Sequence, residues 1–513
     1  MLAKNQVRFM IIRVVVGIGM SLNTYAQPSV PRMLTFDKAY EHMMSHSHVL
    51  KQADYQISEK EAQVKVTAGL RAPKISLTGI AAQLSDPLHL DLTPVRDAID
   101  PLYSALGNYG VFSGVPNPDP ATNSLMPVLP DDISTAAVRR QLLEGQQAIQ
   151  AADWDKMIQE ERFASLSANL TWPLFTGGRI NAANEASRIY KEEAGLQKEQ
   201  KQAELLSELV TRYYGLVLSK ASEQVRKQVL AAMEKHLYDA QKLSEEGQIA
   251  QVEKLHAEVA VAEAERELQK AARQSSMLER ALQNTLALSE TDSLVPVSKL
   301  FILRNTGDIH EYMALARTNS PLLRQVGSKK DLAETGLKAE KSNYLPTLAL
   351  TGMYDIANKD LSPYMPGWMV GLGLNWTLFD GAARSQKIQA ARFKIEQVNE
   401  AGQKADADIG TLIQKLHHEL SMQAEQLVSL DKSLKFAQTY AESKEKAFSE
   451  GLSSSSELVD AQLLVARFRI ERLQVMYQYD LALASLLQIC GTPEQFAGYP
   501  LRDDVIFGSA DEH

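Results

Sequence analysis

The chain has 513 residues, of which 45% are hydrophobic and 23% are charged, a composition typical of a folded protein rather than a disordered one. Its formal charge of −9 argues against a nucleic-acid partner. The single cysteine, Cys490, excludes a disulfide within the chain and a cysteine-rich metal site.

The first residues have the pattern of a secretory signal peptide. Three basic residues precede a short apolar segment, Val14 to Leu22, and small residues precede a cleavage position after Ala26. We therefore expect residues 1–26 to be removed. The mature chain would then have 51 of the 54 basic residues and all 63 acidic ones, a formal charge of −12. No cysteine follows the predicted cleavage position, so we do not expect a lipid anchor there. No later stretch reaches the roughly 18 apolar residues of a spanning helix, which argues against a helical transporter.

The sequence contains two copies of one unit. Trp172, Leu174, Phe175 and Gly177 recur 204 positions later as Trp376, Leu378, Phe379 and Gly381. Upstream the offset is 273, because Pro73, Leu77, Thr78 and Gly79 recur as Pro346, Leu350, Thr351 and Gly352. The difference, 273 − 204 = 69, predicts an insertion in the first copy, within residues 85–160. We expect a first repeat over 27–288, a second over 301–491 and a C-terminal tail over 492–513.

The insertion differs in composition from the rest of the chain. It holds eight prolines, between Pro87 and Pro130, and proline at this density predicts no continuous helix or interior strand there. Only its last part, Thr135 to Glu160, is compatible with a helix. Loops of this length are often functional, although a tolerated surface insertion explains it equally well.

Four segments alternate apolar with polar or small residues, which indicates strands. They are Lys74 to Ala82, Ala164 to Leu174, Pro346 to Tyr354 and Trp368 to Leu378. The pattern fits a transmembrane barrel or a soluble sheet over a core. Trp368 and Trp376 lie about 27 Å apart along one strand face, close to the height of a barrel's apolar band. Four strands cannot close a barrel, so two, three or four copies of the chain would have to associate.

Two long intervals without proline predict unusually long helices. Gly177 to Gly247 and Gly381 to Gly451 each span 70 positions and are rich in helix-forming residues. A continuous helix of that length would extend about 100 Å, and several shorter helices are the alternative. Helical patterning resumes after each second glycine, to about Leu288 and Ile489, so each glycine is predicted at the tip of a helical hairpin.

This order of elements resembles the TolC family of outer membrane efflux proteins. The matching segments are TWPLFTGG and NWTLFDGA at strand-to-helix junctions, and EGQIAQVEKLHAEVAVAEAE and EGLSSSSELVDAQLL at hairpin tips. The resemblance covers Leu34 to Gly491 except the insertion. It implies a mixed α and β fold, in which long α-helical coiled-coil hairpins accompany four transmembrane β-strands per protomer. It also implies a homotrimer with a 12-stranded β-barrel in the cell outer membrane, a periplasmic α-helical tunnel, and an extracellular insertion.

The resemblance also implies functional residues. The tips would dock a periplasmic adaptor through Gly247, Gln248, Ile249, Gly451, Leu452 and Ser453. Glu457 and Asp460, three residues apart on one helix face, match an acidic channel constriction, and a trimer would collect six such carboxylates, which attract cations. An ordinary helix start, where acids are favoured, is the alternative. Some relatives have a basic residue that helps to lock the closed tip, and the equivalent position in this chain is Ser453. Membrane-interface aromatic residues would be Trp172, Trp368 and Trp376.

The function implied is a passive exit duct of a tripartite efflux system. Small molecules, such as drugs, metals or other toxic compounds, would be delivered by a periplasmic adaptor (membrane fusion) protein and an inner membrane RND-type pump or ABC exporter. The alternatives are the exit duct of a type I protein secretion system and a structural periplasmic coiled-coil scaffold. We expect no enzyme, since no nucleophile, base and orienting group occur together. We also expect no cofactor and no metal, His42 and His46 being better explained as a solvated helix face.

Overall fold

The computed structural model describes residues 32–289 and 293–508, and the predicted signal peptide lies outside these ranges. The helices are α1 Phe36–His46, α2 His48–Gly69, α3 Thr93–Tyr109, α4 Asp131–Ala151, α5 Arg179–Glu245, α6 Gln251–Thr285, α7 Ile309–Asn319, α8 Pro321–Ser342, α9 Ala383–Ser449 and α10 Ser455–Cys490, followed by a 3-10 helix, Pro493–Leu501. The strands are β1 Arg32–Leu34, β2 Lys74–Gln83, β3 Leu88–Asp91, β4 Asp155–Gln159, β5 Arg162–Phe175, β6 Leu294–Pro296, β7 Phe301–Leu303, β8 Thr347–Lys359, β9 Trp368–Asn375 and β10 Val505–Phe507.

The element bounds follow the two sequence offsets. Helices α1 and α2 are separated at Ser47, and α7 and α8 are separated at Ser320, which is 273 positions later. Helices α5 and α9 begin at Arg179 and Ala383, 204 positions apart. The duplicated, mixed α and β fold predicted from the sequence is thereby confirmed.

The chain forms two compact units, and each draws on both sequence repeats. Of the described residues, the first unit contains 32–60, 190–289, 293–331 and 396–508, and the second contains 61–189 and 332–395. This division differs from the division into repeats because elements of one repeat pack on elements of the other.

The second unit contains a four-stranded antiparallel sheet with the strand order β2-β5-β8-β9. The two repeats meet in its centre, where β5 pairs with β8 over residues 164–175 and 348–359. Strands β2 and β9 lie at the two edges. The side chains of β9 are exposed on both faces of the sheet.

The fourth strand is shorter than its sequence pattern predicts. It ends at Asn375, so Trp376 and Leu378 lie beyond it, and the prediction of one strand carrying both Trp368 and Trp376 is wrong. Asn375 lies opposite Thr347, the first residue of the partner strand β8, so the pairing ends there. Beyond this point the Arg384 guanidinium donates to the carbonyl oxygens of Thr377 and Leu378 at 2.6 and 3.2 Å. Carbonyl groups held by a side chain are withdrawn from strand pairing.

The insertion is more ordered than its prolines suggested. Helices α3 and α4 pack on each other, and β3 pairs with β4 antiparallel. The expectation of no helix before Thr135 is therefore wrong. Pro94 lies in the first turn of α3, where a missing N–H is tolerated. Pro101 lies inside the helix, and the close packing of α3 on α4 offsets the cost of this proline. The two helices approach so closely that a Cβ added to Gly107 of α3 would lie only 3.1 Å from Leu143 Cδ2 of α4.

The two predicted long helices are continuous. Helices α5 and α9 have 67 residues each, or about 100 Å at the usual rise per residue, which excludes the alternative of several shorter helices. None of the helices within 32–289 and 293–508 is both long and apolar enough to cross a membrane.

The core of the first unit is built around an aromatic cluster. Phe36, Tyr213, Tyr214 and Phe496 are buried, with neighbouring ring centroids 5.3 to 5.9 Å apart. Aromatic pairs of this geometry contribute about 0.5–1.5 kcal/mol each beyond their burial. The Tyr213 hydroxyl donates to the Leu34 carbonyl oxygen at 2.6 Å and so ties β1 to α5.

Candidate functional site at the hairpin tips

Each long helix ends in the same glycine turn. Gly247 has φ +72° and Gly451 has φ +71°, in the left-handed region that favours glycine. The next residue closes the turn in both cases: Gln248 N donates to Leu243 O at 2.8 Å, and Leu452 N to Ala447 O at 2.7 Å. This six-residue bond satisfies a carbonyl group that the helix end leaves free. The two tips therefore have equal backbone geometry.

The return helices after the two tips start differently. The Ser454 hydroxyl accepts a hydrogen bond from Glu457 N at 3.3 Å and caps α10, whereas Ala250 precedes α6 without a side-chain cap. A second capping group reaches α10 from the other hairpin, since the Glu253 carboxylate accepts a hydrogen bond from Ser455 N at 2.7 Å. Glu253 and Glu457 are repeat equivalents, 204 positions apart, so the offset could have identified Glu253 as a candidate functional residue. The offset does not predict that the two carboxylates bind different groups.

A buried histidine lies beneath the tips. His236 of α5 is 3% exposed, and its Nε2 lies 2.6 Å from the Ser455 hydroxyl. The His236 ring packs edge-on against Phe448 of α9, with centroids 4.6 Å apart. Burial lowers the pKa of His236, whereas Asp239, Glu253 and Glu445 act in the opposite direction. The sequence pattern gave no reason to separate this histidine from those on the helix surfaces.

Glu457, the first predicted constriction residue, is held by a lysine that sequence reasoning missed. Its carboxylate accepts hydrogen bonds from Lys444 Nζ at 2.9 Å and from the Ser453 hydroxyl at 2.5 Å. The Lys444 and Ser453 hydrogen bonds lower the pKa of Glu457 to about 2. Lys444 also lies 5.7 Å from the centre of the Tyr440 ring. A basic partner for the acidic position is thus present on α9, although Ser453 is not basic.

Asp460, the second predicted constriction residue, is exposed one turn further along α10. Its repeat equivalent on α6 is His256, which is exposed as well. The acidic pair therefore belongs to the second hairpin, and the first hairpin carries only Glu253 at the equivalent of Glu457.

The predicted docking residues form the exposed ends of the two hairpins. Gly247, Gln248, Gly451 and Leu452 are exposed or partly exposed, and Leu452 is 77% exposed. Ile249 instead turns inward and packs against the buried cluster of Ala240, Ala257, Phe448 and Leu458.

A groove of about 910 Å³ lies between α5 and α9 close to the tips. Charged side chains of both signs line it, among them Lys235, Asp239, Lys242, Glu442, Glu445 and Lys446. Lys235 and Glu445 bridge it with a 2.7 Å ion pair, in which both side chains are at least half exposed. The groove offers alternating charges and an apolar floor that contains Phe448 and Leu458.

The predicted interface tryptophans lie in the second unit. Trp172 Nε1 donates to the Arg71 carbonyl oxygen, and Trp376 Nε1 donates to the Tyr344 carbonyl oxygen, both at 3.1 Å. The two tryptophans are 204 positions apart and the two acceptor residues are 273 positions apart, which are the two offsets between the repeats. The same hydrogen bond therefore occurs in both repeats. Trp368 pairs with Tyr354 across the sheet. All three indoles are exposed.

Comparison with known proteins gives one family. The model of the outer membrane efflux protein family matches residues 143–288 and 313–492. Protein CyaE of Bordetella pertussis is 26% identical over 200 residues, which are 37% of this chain and 42% of CyaE. The matched region thus spans less than half of that curated relative.

Solved structures with the same fold cover almost the whole chain. A crystal structure of CusC superposes with a TM-score of 0.65 at 13% identity, over 92% of this chain and 95% of CusC. The outer membrane protein VceC from Vibrio cholerae superposes with a TM-score of 0.63 at 12% identity, over 89% of this chain and 96% of VceC. At such identities the likeness establishes the fold.

Proposed function

The chain belongs to the outer membrane efflux protein family, and from this membership we propose that it is the exit duct of a tripartite efflux system. Membership places the protein in the outer membrane. Its cargo would be small molecules, such as drugs, metals or other toxic compounds. An inner membrane pump of RND type or an ABC exporter, with a periplasmic adaptor protein, would deliver them.

The observation that carries the channel is the sheet of the second unit. Among the described residues, strands β2 and β9 each have one edge that pairs with no other strand, and an open edge is not tolerated in lipid. Pairing β2 of one copy with β9 of the next removes every edge and closes a ring. Three copies give the 12-stranded barrel of a homotrimer, and the three exposed indoles then suit the membrane interface.

The hairpin tips are the proposed adaptor site. The two glycine turns and the exposed Leu452 offer backbone and apolar contacts, and the mixed charges of the groove between α5 and α9 suit a helical partner of opposite pattern. Leu452→Asp should therefore weaken adaptor binding without altering trimer formation. Leu463→Asp, further up α10, is the control, and equal adaptor binding by both variants would remove Leu452 from the site.

Glu457 and Asp460 are the proposed constriction. Three copies of each carboxylate around one axis would favour cations. Lys444 neutralises part of that charge at Glu457 in each protomer, because the two side chains form an ion pair. Asp460 is then the group whose charge faces the passage without such a partner among the described residues.

Single-channel conductance in a planar bilayer tests the proposal. Wild type should form a cation-selective pore, and Glu457→Ala/Asp460→Ala should lose selectivity or open wider. The matched control is Glu263→Ala/Glu265→Ala, which removes two exposed carboxylates of α6 and should leave selectivity unchanged. No conductance from folded, inserted wild type would reject the channel, whereas equal selectivity of all three proteins would reject only the constriction.

A further inference from the structure

Helix α3 of the insertion has three distinct faces. One face packs on α4, where Gly107 approaches Leu143 and Tyr103 approaches Gly145. A second face is polar and carries Asp97 and Asn108. The third face is an exposed apolar stripe, formed by Val95, Ala98, Leu102, Ala105, Leu106 and Tyr109.

The stripe has the spacing of a coiled-coil seam. Val95, Ala98, Leu102, Ala105 and Tyr109 follow one another at intervals of three and four residues, the heptad pattern of helices that pack side by side. At 3.6 residues per turn the six side chains fall within about 100° of arc. Leu102 is 60% and Tyr109 is 85% exposed, so no element within residues 32–289 and 293–508 covers this seam.

The outer face of α4 is different. Its exposed residues include Arg140, Gln141, Glu144 and Gln147, which are suited to water. Other exposed apolar side chains of the insertion, among them Val111 and Leu125, lie in the segment between α3 and α4. A stripe of apolar side chains beside a polar helix is typical of a surface that meets a partner.

The position of α3 along the chain points to the partner. It follows the edge strand β2 after nine residues, and Leu84 N still donates to Glu161 O at 2.7 Å at the base of the insertion. Strand β2 is the edge that must pair with a neighbouring copy if the sheet closes. A closed ring of three copies therefore places three identical insertions at the same end of the barrel, around one axis.

We propose that the α3 stripes of neighbouring protomers pack on one another around the symmetry axis. A rotation axis brings identical residues to the same height, and an apolar heptad stripe is complementary to a parallel copy of itself. The contact would link the three insertions outside the barrel and hold the protomers together at that end. This inference rests on the proposed trimer.

Oxidative cross-linking of the purified full-length protein tests the contact. Leu102→Cys lies in the stripe and should give a reducible dimer on electrophoresis, because one disulfide can join two of three equivalent thiols. Asn108→Cys lies on the polar face, about a third of a turn around the same helix, and should give none. Wild type provides the background, since its Cys490 is buried.

The outcomes separate the contact from the channel. A preparation that is trimeric by light scattering, yet in which Leu102→Cys gives no more dimer than Asn108→Cys, overturns the contact and leaves the channel intact. A wild-type preparation that is not trimeric would overturn both the contact between the stripes and the proposed trimeric channel. A polarity-sensitive fluorophore on residue 102 that shifts to the blue only after reconstitution into vesicles would assign the stripe to lipid and also overturn the contact.

Discussion

The Glu253 carboxylate accepts a hydrogen bond from the Ser455 backbone nitrogen at 2.7 Å. Glu253 lies in the first turn of α6 and Ser455 is the first residue of α10, so a side chain of one hairpin caps a helix of the other. An acid at a helix N-terminus also interacts favourably with the helix dipole. This contact couples the two tips of a protomer, and a change at one tip is expected to reach the other.

Removing that cap should loosen the second tip. Glu253→Ala leaves the Ser455 N–H without its acceptor, and the loss of such a cap costs about 1 kcal/mol. Amide hydrogen exchange in the first turn of α10 should become faster by roughly fivefold. Glu253→Gln keeps an acceptor and should restore most of the protection. Glu258→Ala, an exposed acid on α6, is the control, and an equal effect there would contradict the coupling.

The lysine beside Glu457 should lower the cation selectivity at neutral pH, because it neutralises the Glu457 carboxylate. The pKa of Glu457 is lowered to about 2, so its ion pair with Lys444 stabilises the tip above about pH 4 and is lost as the pH falls towards 2. In Lys444→Met the pKa should return towards the ordinary value of about 4.3. At pH 7 the variant should be more cation-selective than wild type, because Lys444 no longer neutralises Glu457, and this gain should disappear as the pH falls below about 4.3. The measurement is reversal potential in a salt gradient.

Lys446→Met serves as the control for that experiment, because Lys446 is another lysine near the end of α9, two residues after Lys444. Its selectivity should follow wild type at every pH. The assignment fails if Lys444→Met is no more cation-selective at pH 7 than wild type and Lys446→Met.

The repeat made much of the architecture predictable. Trp172 and Trp376, with the two tip glycines, fixed the order of strands and hairpins, because rare residues at a constant offset identify equivalent positions. Contacts of one side chain across the fold were not predictable. Lys444 sits 13 residues before Glu457, beyond any local spacing rule, and only the closed hairpin brings the two together. The carbonyl groups just beyond the end of β9 are likewise bound by Arg384, from the helix that follows.

A buried acid in the core should make stability depend on pH. Asp480 of α10 is 0% exposed, and burial raises its pKa well above the ordinary range, whereas the backbone of Phe301 acts in the opposite direction. The stabilising effect of its neutral form is complete below about pH 3.9 and is lost as the pH rises. Each unit of pKa elevation costs about 1.4 kcal/mol at higher pH.

Asp480→Asn should therefore raise the free energy of unfolding at pH 8 and have little effect near pH 4. Denaturant unfolding at both pH values, followed by the spectroscopic signal of the helices, measures the difference in the free energy of unfolding between variant and wild type. Asp460→Asn replaces an exposed acid on the same helix and should change neither value. A gain of equal size at pH 4 and pH 8 would show that Asp480 does not titrate as its burial requires.

His236 should make the tips sensitive to mild acid. Its folded-state pKa lies below the unfolded value of about 6.5 because of burial. The unfolded or open form therefore binds the proton first, and stability falls as the pH drops below about 6.5. The slope for one proton is at most about 1.4 kcal/mol per pH unit. Asp239, Glu253 and Glu445, on α5, α6 and α9, reduce the effect by favouring the charged ring.

The opening should appear in the helix whose first residue touches the histidine. Between pH 7.5 and 5.5, the free energy that protects the amides of Ser455 to Leu458 from hydrogen exchange should fall in wild type, after correction for the intrinsic rate. His236→Gln keeps a polar group beside the Ser455 hydroxyl without a titrating ring, so its protection should not change over this range. His256→Gln, which replaces an exposed histidine of α6, should behave as wild type does. A pH dependence that survives in His236→Gln would locate the acid-sensitive group elsewhere, because His236 is the buried imidazole that contacts Ser455.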